Sequence, residues 1–326
     1  MKDNALTLMA EMRSCARWLV LLMVFLPLVS LDATAASLRL SSHRARLTWK
    51  PPRLVHPTTI RVTTAEPLDL DPAKDYRLKL PRNRPLQARY GCIHISGGHN
   101  IVLIGGECYV PQQENPTEGS GRVFYIEGNT GTVHIEGLHA YGPGLTEGID
   151  IFDSPQTVLQ VENCRFETIR NWGMSSIHSD LIQADSLAAL RVDRFTGKSQ
   201  VQGIFRDGDN PAPAGADLRN VNISTNVPGA SDDRALWQDE RFWYPMRLTN
   251  FYLTPPPGRS VGQSVWPGTG DREIPPAYRA IKRPGGSVRW GRAAHIAGVV
   301  HRGPPRRGDF VPRGVAGLTY KSPGYR

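Results

Sequence analysis

Residues 148–207 read GIDIFDSPQTVLQVENCRFETIRNWGMSSIHSDLIQADSLAALRVDRFTGKSQVQGIFRD. This stretch contains two pairs of short apolar runs, Ile149–Ile151 with Leu159–Val161 and Leu181–Ala184 with Leu190–Val192. Each pair leads into a polar turn, and no helical periodicity separates the runs. Short β-branched segments that recur in this way are typical of a β-solenoid, in which each coil buries its apolar face against its neighbours.

The same pattern continues on both sides of this stretch. Apolar first strands recur every 23 to 32 residues, at Ile93, Phe124, Ile149, Leu181 and Ile204. Their predicted partner strands are Ile101–Ile104, Val133–Ile135, Leu159–Val161, Leu190–Val192 and Leu218–Ile223. A jelly roll or a propeller needs more evenly spaced hairpin turns. We therefore predict an all-β chain with a parallel β-helix over residues 75–253.

The N-terminal 36 residues have the features of a secretory signal peptide. Basic residues precede an apolar run at Trp18–Leu31, and the small-x-small tripeptide Ala33-Thr34-Ala35 follows it. A membrane anchor is the alternative, but a spanning helix needs about 18–20 apolar residues and Pro27 interrupts this shorter run. We predict cleavage, a secreted or periplasmic location and no stable membrane insertion. Residues 37–74 are predicted to form an irregular N-terminal cap.

Residues 254–326 form a segment rich in proline, glycine and arginine. We predict irregular structure there, with at most short strands at Gly298–Val300 and Val315–Tyr320. From residue 277 onward the segment holds eleven lysine and arginine residues but one acidic residue, Asp309. Such a basic segment either binds an anionic polymer or membrane surface, or is a solvated extension. Its aromatic residues are too sparse to indicate nucleic-acid binding.

Three cysteines follow the predicted signal peptide, and an odd number excludes a dense disulfide framework. Cys108 and Cys164 both follow second strands, so we predict an inward column of Cys108, Leu138, Cys164 and Phe195. Residues two coils apart in such a column are too distant for a disulfide, which favours buried thiols. A bridge between Cys92 and Cys108 within one coil remains open.

Side chains alternate between core and solvent along a strand. With the flanking apolar residues inward, His94, Tyr125, Asp150 and Gln183 are predicted to point outward and to stack in one column. Neighbours in the column would lie about 5 Å apart. Such a column can assemble a site from residues that are far apart in sequence.

Two segments give this surface chemical character. Glu147 and Asp150 precede and enter one strand, and Asp180 and Gln183 repeat that layout one coil later, just after His178. Clustered carboxylates raise each other's pKa, which suits one of them to general acid catalysis, and paired carboxylates carry out glycoside hydrolysis. His178 is a candidate base, and the same groups could hold Ca²⁺. No other metal is predicted.

Further candidates lie nearby in sequence. Arg206 and Asp207 follow on the next coil, where an arginine could bind a substrate carboxylate. Trp172 is a candidate for stacking against a sugar, or packs beneath its turn. The alternative for the whole set is structural, since aspartates at turns often bind backbone amides and Arg206 could be an ion-pair partner.

The motifs resemble those of a known group of proteins. TEGIDI at residues 146–151, followed by DSPQTVLQVENCRFE at 153–167, resembles the right-handed parallel β-helix of the pectin-lyase-like superfamily. That coil is similar to the N-T-D-G-I-D coil of polygalacturonase-type glycoside hydrolases, with Glu147 and Asp150 at its acidic positions. HSDLIQ at residues 178–183 resembles a coil of other secreted β-helix proteins. The resemblance spans residues 75–225.

The resemblance implies a right-handed solenoid that acts on polysaccharide. In the hydrolases it implies a catalytic role for Asp150. In the lyase relatives a Lys or Arg acts as base, often with Ca²⁺, and it implies that role for Arg206. We therefore predict an exported polysaccharide lyase or glycoside hydrolase. The catalytic candidates are Asp150, His178, Asp180 and Arg206, and the substrate-binding candidates are Glu147, Gln183, Trp172, His94, Tyr125 and Asp207. The alternative is a non-catalytic envelope or surface protein that binds anionic polysaccharide.

Overall fold

A computed structural model describes residues 46–88, 91–114, 120–172, 179–206, 215–231, 234–238 and 244–326. These residues all belong to one compact unit, Ala45–Arg326. The predicted signal peptide, His178 and Asp207 lie outside the described residues.

Strands dominate the described residues, as the alternating apolar pattern predicts. In chain order the strands are β1 (Thr58–Arg61), β2 (Leu68–Leu70), β3 (Tyr76–Lys79), β4 (Leu86–Gln87), β5 (Ile93–Gly97), β6 (Ile101–Ile104), β7 (Glu107–Tyr109), β8 (Arg122–Glu127), β9 (Thr132–Glu136), β10 (His139–Tyr141), β11 (Glu147–Phe152), β12 (Ser154–Ile169), β13 (Ile182–Ala184), β14 (Leu187–Ser199), β15 (Ile204–Arg206), β16 (Gly215–Ser224), β17 (Leu236–Gln238), β18 (Met246–Thr254), β19 (Val265–Trp266), β20 (Ile281–Lys282), β21 (Val288–Arg289), β22 (Ile296–Ala297) and β23 (Val299–Arg302). Short 3-10 turns occur at Val261–Gln263, Pro276–Tyr278, Pro284–Gly286 and Arg292–Ala294.

The strands form two sheets that wind into a parallel β-solenoid of about six turns across the described residues. The narrow sheet runs in the order β2-β5-β8-β11-β13-β15-β17-β19. The wide sheet follows the path β1-β3-β6-β9-β12-β14-β16-β18-β23, with β4, β7 and β10 beside it. Neighbouring solenoid strands are parallel, which confirms the predicted all-β solenoid. Strands β1 and β2 already pair with it, although they precede residue 75.

The core consists of apolar columns in which each rung covers the next. In the narrow sheet Ile93, Phe124 and Ile149 pair in register, as predicted. The next member is Ile182 rather than the predicted Leu181, because β13 pairs Ile149 with Ile182. All four side chains are buried. Rungs stack about 4.8 Å apart, so each apolar side chain loses most of its water contact to its two neighbours.

A second inward column runs through the wide sheet. Cys164 pairs with Phe195, and Leu138 directly precedes β10, so these members stack as predicted. Cys108 instead pairs with Ala140 and belongs to the adjacent column. The predicted position of Cys108 is wrong. The predicted column requires Cys108 opposite Leu138, whereas the register of β7 and β10 places it opposite Ala140, two residues later in the chain.

The prediction of buried free thiols is correct for Cys164 and wrong for Cys92 and Cys108. Cys92 and Cys108 form a disulfide with a Cα–Cα distance of 6.2 Å, so the bridge within one coil is the arrangement that occurs. Cys164 is a buried free thiol, and burial raises its pKa to about 12. A thiol in this environment is inert, since the thiolate is the reactive species.

The C-terminal segment packs against the solenoid and is not a solvated extension. After the predicted strand at Gly298–Val300, confirmed as β23, the chain returns along the wide sheet as a segment that we call the strap, residues 309–326. Residues 315–320 form turns and not the predicted strand. The strap buries Val311 and Tyr320. Its end pairs with Leu47, so the two ends of the described chain meet on the wide sheet.

Polar contacts hold the strap across several rungs. The Asp309 carboxylate accepts hydrogen bonds from Arg165 Nη1 at 2.8 Å and from Asn222 Nδ2 at 3.0 Å. The Tyr320 hydroxyl donates to Glu136 Oε1 at 2.6 Å and accepts from Asn163 Nδ2 at 3.1 Å. These contacts join residues more than 80 positions apart in sequence and fix the strap on the solenoid.

None of the helical segments in the described part of the chain has the length and apolar character that a membrane crossing requires.

Candidate functional site

The predicted outward column exists in the narrow sheet. His94 pairs with Tyr125, Tyr125 with Asp150, and Asp150 with Gln183, on four consecutive strands. The buried apolar residues on the other face fix this register, because a shift by one residue would turn the apolar set toward solvent.

The same column continues beyond Gln183 as an aromatic ladder. Phe205, Trp237 and Trp266 occupy the next three rungs. The rings of Trp237 and Trp266 stack with centroids 5.3 Å apart, and Phe205 meets Trp237 edge to face at 5.4 Å. The carboxylate of Asp150 therefore lies in a column that is aromatic toward both ends.

Three polar residues lie next to the outward column, at the start of the narrow-sheet strands or just before them. Arg122 pairs with Glu147. The backbone amide of Gly148, which follows Glu147, donates a hydrogen bond to the Asp180 carbonyl. Arg122 Nε donates to Glu147 Oε2, and its Nη2 lies 3.1 Å from Asp150 Oδ2. One guanidinium thus joins the two carboxylates that the sequence singled out.

Arg122 is the member of this cluster that was not predicted from the sequence. The predicted residues lie at outward positions of the strands or in the turns before them, whereas Arg122 is the first residue of β8. Its alignment with Glu147 could have been inferred from the sequence, because Phe124 and Ile149 were already matched and each lies two residues further along.

Burial controls the protonation of the cluster. Glu147, Asp150 and Asp180 expose only 2%, 4% and 0% of their surfaces. Burial raises the pKa of Glu147 to about 8, the charges of Asp150 and Asp180 add to the increase, and Arg122 opposes it. Glu147 therefore holds its proton near neutral pH, where an ordinary glutamate has lost it.

An open cleft of about 330 Å³ leads toward the cluster. His94, Tyr125 and Arg122 line it together with Ala65 and Pro67. The imidazole of His94 meets the Tyr125 ring edge to face at 4.8 Å, and the Arg122 guanidinium lies 4.8 Å from the centre of the same ring. The cleft therefore offers aromatic surface and one cation, a combination common in sites for small ligands.

The cluster has its own cation. The Arg122 guanidinium lies between Glu147 and Asp150, the position that a metal ion would need, and the described residues contain no group of three or more metal-binding side chains. Calcium binding stays a prediction from the sequence.

The structure places Arg206 outside the outward column. Phe205, and not Arg206, stands opposite Gln183 in the outward column. Arg206 follows it at the inward position, is 1% exposed, and lies with its guanidinium 4.6 Å from the centre of the Tyr244 ring. Burial lowers its pKa to about 10. The residues of β15 alternate as in any strand, so Ile204 and Arg206 share the core side.

Of the three remaining candidates, the structure describes Trp172. Trp172 lies in the turn after β12, half-buried, with a backbone φ of 57°. It is not among the residues that line the cleft. His178 and Asp207 lie outside the described residues, so their roles stay predictions.

The chain matches no model of a known protein family, no curated protein and no solved structure. A function must therefore be inferred from the geometry of the narrow sheet.

Proposed function

We propose that this protein is an exported β-solenoid enzyme that cleaves polysaccharide at the narrow sheet. The observation that carries the proposal is the pair of carboxyl groups joined by Arg122, in which Glu147 has a pKa of about 8. Two adjacent carboxyl groups with different environments are what acid-assisted cleavage of a glycosidic bond requires. Glu147 would donate the proton to the leaving oxygen.

Asp150 is the proposed partner carboxylate. Its Oδ2 is held by Arg122, which fixes its orientation, and its position between Tyr125 and Gln183 places it in the middle of the outward column. A carboxylate held in this way could act as a base toward water or as a nucleophile. We favour hydrolysis over β-elimination, because Arg206, the base expected from the lyase resemblance, takes the inward position of its strand.

The test is the release of reducing ends from a panel of acidic and neutral polysaccharides. The proposal expects release by the unaltered protein and a loss of at least about 100-fold in Glu147→Gln and Asp150→Asn, the size typical of a missing acid–base group. Asp217→Asn is the matched control, since Asp217 pairs with Arg219 on the wide sheet. Unsaturated products would indicate elimination and contradict the proposed roles of Glu147 and Asp150.

Binding without cleavage is the second candidate function. It is favoured by the low exposure of the carboxyl groups, which are paired with Arg122, while His94 and Tyr125 line the open cleft. It expects retention on a polysaccharide column, weakened in Tyr125→Ala, with no reducing ends released from any member of the panel.

A further inference from the structure

A second groove lies on the wide sheet, where β7 and β10 end. Its volume is about 600 Å³, and its walls include Tyr109, Tyr141, His139, Arg170 and Arg313. Sites for small ligands commonly measure about 300–1,000 Å³. None of these residues belongs to the outward column or to the carboxylate cluster of the narrow sheet.

One wall of the groove is aromatic. Tyr109 and Tyr141 are paired in register on β7 and β10, and their ring centroids are 5.3 Å apart. His139 stacks on Tyr141 at 4.7 Å with an interplanar angle of 20°. Tyrosine offers an apolar ring and a polar hydroxyl, which complements the C–H face and the hydroxyl groups of a sugar ring. A neighbouring pair of tyrosines provides such a surface on two successive rungs.

Glu167 is the acidic side chain that lines the groove, and neighbouring basic side chains compensate its charge. A second carboxylate, that of Glu107, accepts a hydrogen bond from the Tyr141 hydroxyl at 3.3 Å. His139, within 3.7 Å, and Arg165, at 2.8 Å, contact the Glu167 carboxylate and hold its pKa far below the usual range despite partial burial. Arg170 Nη1 donates to the carbonyls of Gly142 and Thr168 and so supports the wall. Glu167 thus stays charged but compensated over the whole range near neutral pH.

The strap adds a cation at the rim. Arg313 Nε lies 3.3 Å from Glu167 Oε1, while 77% of the Arg313 side chain remains exposed. An exposed guanidinium beside this pair of tilted tyrosine rings favours a ligand that carries a carboxylate or another anionic group. The groove is therefore completed by a residue that lies more than 140 positions away in sequence from Glu167.

We propose that this groove is a second binding site, specific for an acidic saccharide, in which Tyr109 and Tyr141 contact the sugar ring and Arg313 binds its anionic group. The site is independent of the proposed cleavage site, because it uses other residues on the other sheet. It would hold an acidic chain on the solenoid whether or not that chain is cut.

The test uses protein labelled with 3-fluorotyrosine and observed by ¹⁹F NMR, with the Tyr109 and Tyr141 signals assigned by Tyr109→Phe and Tyr141→Phe. The probes are tetragalacturonate and the neutral cellotetraose. The proposal expects tetragalacturonate to shift both signals at millimolar concentration, with at least tenfold weaker binding of cellotetraose. It expects the same shifts in Glu147→Gln. The result therefore does not depend on whether the narrow sheet cleaves polysaccharide.

Substitutions test the two halves of the site separately. Arg313→Ala, at an exposed position, should weaken tetragalacturonate binding at least fivefold, and Arg306→Ala, at an exposed position just before the strap, should not. Tyr141→Ala should abolish binding. Tyr252→Ala, which removes a tyrosine that stacks on His301 outside the groove, is the control and should leave binding unchanged. Unshifted Tyr109 and Tyr141 signals with both probes, or equal binding of both with no effect of Arg313→Ala, would overturn the proposal.

Discussion

Asp150 lies directly opposite Gln183 in the register of β11 and β13, and Tyr125 lies opposite Asp150 on the other side. Residues 33 positions apart in sequence are therefore one rung apart in space, a separation of about 4.8 Å. Arg122, at the start of β8, reaches from the neighbouring rung to both Glu147 and Asp150. The parallel stacking of rungs is what brings the elements of the site together.

Arg122 should contribute strongly to stability. In Arg122→Met the carboxyl groups of Glu147 and Asp150 lose their cation while they stay buried, and we expect a loss of about 3 kcal/mol in the free energy of unfolding. Arg219→Met, which breaks a more exposed pair with Asp217, should cost no more than about 1 kcal/mol. Urea denaturation measures both. Equal, small losses would mean that Arg122 does not compensate buried charge.

Stability should fall as the pH rises through the neutral range. Burial raises the folded-state pKa of Glu162 to about 8 from 4.5, so between these values the folded protein holds a proton that the unfolded chain has lost. The free energy of unfolding therefore decreases from about pH 4.5 to pH 8 and then levels off. Glu147 contributes in the same direction.

Glu162→Gln tests this dependence, because the amide imitates the protonated carboxyl group and can still accept the backbone hydrogen bonds of Thr48 and Trp49. We expect denaturation curves from pH 5 to pH 9 to show a smaller decrease than in the unaltered protein. Glu66→Gln, at an exposed position, is the control and should leave the decrease unchanged. A decrease of the same size in Glu162→Gln would contradict the assigned proton.

The contact between Gly137 and Tyr320 should hold the strap in place. A Cβ at Gly137 would collide with the Tyr320 ring, and its φ of +67° also favours glycine. Gly258 has a φ of +81° with no atom within 4 Å of its Cβ position, so Gly258→Ala measures the backbone effect alone, about 1 kcal/mol. Gly137→Ala should cost more and should speed tryptic cleavage at Lys321. Cleavage at the unaltered rate would mean that the strap does not depend on this contact.

The disulfide should stabilise the N-terminal coils. Cys92 and Cys108 are 16 positions apart, and closing a loop of that size stabilises a protein by about 3 kcal/mol. In a chain that begins at residue 37, thiol titration should find no reactive thiol in the folded protein and one, Cys164, after unfolding without reductant. Three reactive thiols after unfolding would contradict the bridge.

The stacked strands of the solenoid were predictable because each strand shows a local alternation of apolar and polar residues. The alternation around Ile93, Phe124 and Ile149 determines which side chains face the core, and the register of the outward column followed from it. The error at Leu181 arose because Leu181 and Ile182 are both apolar, although the outward position predicted for Gln183 already assigns Ile182 to the core by alternation. Alternation from Ile204 likewise assigns Arg206 to the inward side of its strand.

The strap and the second groove were not predictable in the same way. Asp309 and Tyr320 lie in a segment without a periodic pattern of apolar residues. The sequence around them does not indicate which distant residues they contact. The sequence contains more information about the groove than about the strap. Tyr109 and Tyr141 occur at equivalent positions after glycine turns, which indicates that they lie on neighbouring rungs. The cation at its rim, Arg313, comes from the strap and depends on the tertiary structure.

The proton on Glu147 is the point on which the proposed cleavage depends. Carbon-13 NMR titration of protein labelled at the glutamate δ-carbon, with the signal assigned by Glu147→Gln, measures its pKa directly. We expect a midpoint of about 8. A midpoint near 4.5, the ordinary value, would contradict the proposed cleavage, because Glu147 would then be ionised at neutral pH and could not donate a proton to a leaving group.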